Sequence, residues 1–270
     1  AHQVARSCLE RDINVMLFSD NVTIEEEKAL KDYASAHELL VMGPDCGTAI
    51  INQVPLAFAN VVRGGNIGIV AASGTGAQEV SSLIDQYGGG ISQLFGTGGR
   101  DLKKEIGGLM KLCLDALIND PATKVLVLVS KPPAKEIAEE ILSIAKGAGK
   151  PVVVSFIGGD PEQVRAYGLT PALTLEDAAQ KAVALSQGRQ PADFLGFSMG
   201  EEKADALAKE IAGKFAYGQQ YIRGFYTGGT LCDEAMKLML EKLGHIYSNI
   251  PLRAEDKLEN PRNGDSYKHT

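Results

Sequence analysis

The 270 residues contain no tryptophan, four histidines and four cysteines. None of the histidines (His2, His37, His245 and His269) follows an apolar run in a glycine loop, and no HExxH, GxSxG or Cys–His arrangement occurs. Hydrolase and zinc-enzyme readings are therefore unsupported. Cys8, Cys46, Cys113 and Cys232 form no CxxC pair and have no histidine nearby, which argues against a structural zinc site or a disulfide framework. They are expected as reduced thiols of a cytoplasmic protein. Positive charge is also scarce: 27 lysines and arginines against 34 aspartates and glutamates leave a net charge of −7. That balance excludes a general nucleic-acid binder, which needs clustered positive charge to neutralise phosphates. No apolar run reaches the roughly 18 residues of a membrane span. The opening AHQVARSCLERD is polar and charged, unlike a signal peptide.

Glycine is plentiful, at 30 of 270, and falls mainly in loops after apolar runs. With 44% hydrophobic residues the chain can bury a large core, and its length predicts about two domains of roughly 100–150 residues. The pattern is α/β. Short elements come first: a helix over 4–12, a strand over 14–18, a helix through Ala36 with Thr23 and Glu26 spaced as a capping box, and a strand over 39–42. From Arg63 strands and helices alternate regularly. Strands are predicted over 66–70, 91–95, 125–130 and 152–157. Helices are predicted over 77–87, up to Ile118, over 134–145, over 161–167 and from Thr174 to Ser186. The continuous apolar run VLVLVS suits a parallel strand covered on both faces. Five βα units in about 125 residues match a doubly wound, flavodoxin-like domain. After a linker at 187–191 the pattern restarts: a helix over 200–215, a strand over 221–226 and a helix over 231–243, with a polar end.

Two segments echo each other. GIVAASGTGAQEVSSLIDQYGGG and GFYTGGTLCDEAMKLMLEKLG both read as strand, small-residue turn with glycine and threonine, amphipathic helix and glycine. The turn Ser73-Gly74-Thr75-Gly76 follows a strand and opens a helix, where unpaired N–H groups and the helix dipole attract an anion. It lacks the lysine of a nucleotide-hydrolase phosphate loop. Gly96-Thr97-Gly98-Gly99-Arg100-Asp101 is a second such loop, in which Arg100 either grips a carboxylate or phosphate or pairs with Asp101 to fasten the loop. Gly43-Pro44-Asp45-Cys46-Gly47 carries a thiol that is either exposed or, as is commoner for cysteine, buried and inert.

Together GPDCGTAI, GIVAASGTGAQE and GTGGRD, with the order of the βα units, resemble the α subunit of succinyl-CoA synthetase and the NDP-forming acyl-CoA synthetase superfamily. VPLAFANVVRGGNIGIVAASGTGAQEV and IRGFYTGGTLCDEAM resemble the FdrA family in particular. The resemblance implies tandem doubly wound, succinyl-CoA synthetase-like domains. Residues 1–62 would be the C-terminal remnant of a CoA-binding Rossmann-like domain plus a linker. Residues 63–188 would be a flavodoxin-like domain, and 191–270 the start of a second, truncated one, so that the chain is expected to be an internal fragment. In the synthetases two helix N-termini face a phosphohistidine oriented by a glutamate. The helix starts carry over to Ser73, Gly74 and Thr75 and to Gly228, Gly229 and Thr230. The histidine and the glutamate do not: GGDPEQVRAYGLTPAL has no histidine, and the glutamate position falls on Ser130 or Lys131.

The resemblance therefore implies an acyl-CoA synthetase-like protein without the phosphohistidine relay. It would take a small anionic acyl or phosphorylated substrate, with carbamoyl transfer in allantoin or purine breakdown as one activity. The expected anion contacts are Ser73, Gly74, Thr75, Gly76, Gly98, Gly99, Arg100, Lys131, Gly228, Gly229 and Thr230, with Cys46 near CoA. Phosphate or acyl phosphate is expected at the helix starts, and CoA in the full-length protein. Other carbamoyltransferase or ligase subunits, and a second copy of the chain, are the expected partners. An active NDP-forming acyl-CoA ligase and a non-catalytic scaffold are the alternatives.

Overall fold

Residues 1–103, 108–194, 199–260 and 268–270 are described by the computed structural model, and they fall into two compact units, Ala1–Ala192 and Asp193–Thr270. The first unit begins with α1 (His2–Leu9), β1 (Val15–Met16), α2 (Ile24–Ala36) and β2 (Val41–Met42). The two short strands pair in parallel, and Leu9, Leu17, Val22, Leu30 and Val41 form the core beneath them. The capping box is present: Glu26 N–H donates to Thr23 Oγ1 over 3.2 Å, and Thr23 N–H donates to Glu26 Oε2 over 2.9 Å.

Two strands that the sequence reading did not foresee follow, β3 (Thr48–Ile51) and β4 (Val54–Ala57), an antiparallel hairpin. Its turn residues Asn52 and Gln53 both have positive φ, 49° and 66°. That is the backbone twist a two-residue hairpin turn needs, reached here without glycine.

The βα units are β5 (Gly64–Ala71), α3 (Gly74–Gln86), β6 (Ile91–Gly96), α4 (Leu109–Asn119), β7 (Val125–Ser130), α5 (Lys135–Lys146), β8 (Val152–Phe156), α6 (Pro161–Ala166), β9 (Thr170–Pro171) and α7 (Leu175–Ser186). They build one sheet in the order β4-β3-β6-β5-β7-β8-β9. β5 to β9 are mutually parallel, whereas β3 runs antiparallel to β6. Numbered within that parallel set, the strand order is 2-1-3-4-5, the doubly wound order of flavodoxin-like sheets, so the expected fold class is observed. All six residues of β7 are buried, as a strand covered on both faces requires. Leu114, Leu117, Leu126, Leu128, Ile141 and Leu142 anchor the main core. The expected helix up to Ile118 begins at Leu109, its stretch 104–107 lying outside the described residues.

The second unit contains α8 (Glu201–Ala212), α9 (Gly229–Leu243) and a 3-10 turn, Ala254–Asp256. The strand expected over 221–226 is not formed. A strand needs a ladder partner for its backbone groups. Among the described residues, Ile222 and Gly224 make two backbone bonds to Thr270, with Gly224 N–H donating to Thr270 O over 2.8 Å and Thr270 N–H to Ile222 O over 3.1 Å. Among the described residues, no helix is long and apolar enough to cross a membrane.

Candidate functional site

In a sheet of this order, neighbouring chain crossovers leave in opposite directions from the first and third parallel strands, and the gap at their carboxyl ends is where such folds bind ligands. Here those strands are β5 and β7, paired from Ile67↔Val125 to Ala71↔Val129. The loop after β5 carries Ser73, Gly74, Thr75 and Gly76, and the residue after β7 is Lys131. Four of the candidates drawn from the sequence thus lie on the loop after one strand of this switch point, and a fifth, exposed, follows the other.

Ser73 is the N-cap of α3. Its Oγ accepts the Gly76 N–H over 2.9 Å, and its carbonyl accepts from Ala77 N–H. Helix geometry gives the Gly74 and Thr75 N–H groups no acceptor within the helix, and both residues are half-exposed. Gly76 is required for packing, because a Cβ there would sit 3.1 Å from Val129 Cγ1 of β7 and 2.9 Å from Ser73 Oγ. Gly74 is not, since its Cβ would meet only Thr48 Oγ1, at 3.6 Å. Gln78, one turn on, fastens the helix start to the hairpin by donating to Thr48 Oγ1 (3.1 Å) and Phe58 O (3.0 Å).

The loop after β6 is built differently from the expectation. Gly98 (φ 86°) approaches the Pro44 carbonyl so closely that no side chain fits there. Arg100 turns its guanidinium away toward α2: Nη1 donates to Val22 O over 2.6 Å and lies 3.4 Å from Glu27 Oε2, and Nη2 lies 3.4 Å from Asp20 O. Asp101 caps α4, accepting from Leu109 N–H (3.0 Å) and Met110 N–H (2.6 Å). Lys31 Nζ is 2.8 Å from the buried Glu27 and 3.6 Å from Asp101. Arg100 thus secures the loop through Val22 and Glu27, and Asp101 is occupied elsewhere.

Cys46 is buried, and its Sγ donates to Gly96 O over 3.1 Å. Burial pushes its thiol up to about 11, so it is a packed, protonated side chain at neutral pH. Gly228 caps α9 in the second unit, with Gly229 and the buried Thr230 opening the helix. His37 closes α2, its Nδ1 2.8 Å from Tyr33 O. His245 Nδ1 lies 2.6 Å from Asp256, which Arg253 also holds. A cavity of about 340 Å³ lies between α2 and α4, lined by Lys31, Leu39, Leu40, Gly108, Leu109 and Leu112 and by none of the candidates. No group of three or more metal-binding side chains occurs among the described residues.

One residue of this edge was missed by sequence reasoning. Asp45 lies in the loop after β2, exposed and with φ 59°, and its carboxylate sits beside Gly99, where an added Cβ would lie 3.4 Å from Oδ2. The available signal was a charged side chain inside the glycine loop GPDCG.

Residues 63–158, from the start of β5 to the end of β8, match the family model of the CoA binding domain. The whole chain is 49% identical to 51% of the uncharacterized protein YahF of Escherichia coli (strain K12). Over 53% of its length it is 26% identical to the ADP-forming succinate–CoA ligase α subunit of Aquifex aeolicus (strain VF5), covering 48% of that protein. Among solved structures, the ATP citrate lyase of Methanosaeta concilii superposes on 88% of this chain and 47% of its own, with a TM-score of 0.59 at 17% identity, a likeness of fold. The chain spans about half the length of the curated relatives it matches. Residues 63–158 are thus similar to a CoA binding domain, and about half of the chain to the α subunit of an ADP-forming succinate–CoA ligase.

Proposed function

We propose that the protein is an acyl-CoA synthetase-like protein of FdrA type that holds an anionic acyl or phosphorylated substrate at the carboxyl ends of β5 and β7 and dispenses with a phosphohistidine relay. The observation that carries this reading is the placement of the Ser73–Gly76 helix start and Lys131 on the two strands of the switch point. N–H groups of the first turn and a lysine ammonium form a donor-only surface suited to a carboxylate or phosphoryl group. The relay is absent from the proposal because the loop after β8 carries no histidine and Ser130 or Lys131 stands where an orienting carboxylate is needed. Carbamoyl transfer in allantoin or purine breakdown, with partner subunits, is the activity the FdrA resemblance favours.

CoA fits this edge at the level of one phosphoryl group, held by the Gly74 and Thr75 N–H groups and Lys131. When bound, it supplies a thiol that accepts an acyl group. The match of residues 63–158 to a CoA-binding family favours a second reading, an active NDP-forming ligase, which predicts CoA-dependent nucleotide turnover by the full-length protein.

A thermal-shift panel with phosphate, carbamoyl phosphate, oxamate, ATP and CoA tests the proposal. A ligand at about 100 times its Kd adds about 2.7 kcal/mol. An upward shift with at least one small anion is expected, and none with any of them overturns the anion site.

A further inference from the structure

The loop after β2 is locked into the edge of the large sheet. The Gly98 backbone abuts Pro44 O and Gly43 Cα, and that of Gly43 abuts Leu17 O. Cys46 N–H donates to Leu17 O, and Cys46 Sγ to Gly96 O. This interlock sets the Asp45 carboxylate beside Gly99. A Cβ on Gly99 would lie 3.4 Å from Asp45 Oδ2 and 3.9 Å from the carbonyl of Ala72, the residue that leads into Ser73. The carboxylate and the start of the α3 loop therefore flank one glycine. Two residues earlier, Thr97 is 1% exposed and its hydroxyl has no hydrogen-bond partner among the described residues. The cation of this loop is directed elsewhere, since Arg100 bonds to Val22 and Glu27.

The edge thus combines a donor-only side, the first turn of α3 with Lys131, and an acceptor-only group, Asp45. An anion without a proton satisfies the first and is repelled by the second. An anion bearing an O–H or N–H satisfies both. We propose that Asp45 is a specificity-determining residue of this site, accepting a hydrogen bond from the ligand and selecting anions that carry a donor, such as hydrogenphosphate and carbamoyl compounds, over fully deprotonated oxyanions. This deepens the proposed function and rests on its anion site.

The groups facing Asp45 are Asp20 from the loop after β1 and the Gly99 N–H and Arg100 from the loop after β6, with Glu27, Lys31 and Asp101 beyond Arg100. Burial and the Asp20 charge raise its pKa, and Gly99 and Arg100 offset that only in part. Acidification therefore neutralises Asp45 at a higher pH than an ordinary carboxylate.

Calorimetry with inorganic phosphate and with sulfate separates the two ideas, because sulfate carries no proton in the working range. At neutral pH the wild-type chain is expected to prefer phosphate by about tenfold. In Asp45→Asn, which keeps the shape of the side chain and tolerates a positive φ, sulfate is expected to gain that factor and the preference to vanish. Sulfate should also tighten as the pH falls into the carboxylate range, more in the wild type than in Asp45→Asn. Equal affinities in the wild type, or a preference that survives in Asp45→Asn, overturn the proposal. Failure of both anions to bind at any pH overturns the underlying site as well. The neutral-pH comparison of the two anions needs only wild-type protein, so equal affinities there overturn the proposal even if the variant does not fold.

Discussion

Gly76 of α3 and Val129 of β7 touch so closely that an added Cβ would lie 3.1 Å from Val129 Cγ1. The helix start is therefore pressed onto the neighbouring strand. Gly76→Ala is expected to destabilise the fold by about 1–3 kcal/mol through overpacking. Gly74→Ala, with 3.6 Å to its nearest neighbour, is expected to be neutral or to stabilise by up to about 1 kcal/mol from helix propensity. Urea denaturation of the two variants reads the opposite signs, and equal losses would refute the packing argument.

Thr75→Pro removes a hydroxyl and an N–H from the first turn of α3, where proline is tolerated. Phosphate affinity is expected to fall while the fold persists. A folded variant with unchanged affinity assigns the turn a structural role only.

Thiol accessibility follows burial. Cys46 and Cys113 are buried, and burial raises their pKa to about 11 and about 12. Iodoacetamide at neutral pH is expected to label Cys8 and Cys232, both half-buried, and to reach the other two only after denaturation. Mass spectrometry of native and denatured samples checks this, and native labelling of Cys46 would contradict the packing.

Asp256 governs an acid-sensitive contact in the second unit. Burial alone would raise its pKa, but the bonds from His245 and Arg253 outweigh burial and hold it below the ordinary value of 3.8. A carboxyl with a lowered folded pKa contributes stability above its unfolded pKa and loses it as the pH falls through the folded value. Stability is expected to drop below about pH 4, less steeply in Asp256→Asn. Thermal melts of both proteins across that range provide the comparison, and parallel curves would contradict the linkage.

Four of the five parallel strands, all but β9, were legible because a strand covered on both faces has to be apolar throughout: VLVLVS is strand from its first residue to its last. Thr23 and Thr174 announced their helices by the side-chain oxygen they offer to the third residue on. What pattern could not supply was the partner. Residues 221–226 have a strand's composition without a strand beside them. The 48–57 hairpin turns on Asn52 and Gln53, whose conformation no glycine advertises. Arg100 illustrates the same limit at the site. Its spacing fitted an anion contact, but its donors are directed to Val22 and Glu27, more than 70 residues earlier. Asp45 enters only because the loops after β2 and β6 interlock across some 50 residues of sequence.

That interlock also bears on the cost of ligand capture. Backbone lies directly against backbone from Leu17 through Gly43 and Pro44 to Gly98, so these loops have little freedom left to surrender when a ligand arrives. Ordering a loop on binding subtracts from affinity, and here the ordering is already done by folding. The rim with Asp45 and Gly99 should therefore behave as a rigid template, with nearly the same backbone shape before and after binding. Even a small anion, offering few contacts, can then be held and discriminated without first organising the protein around it.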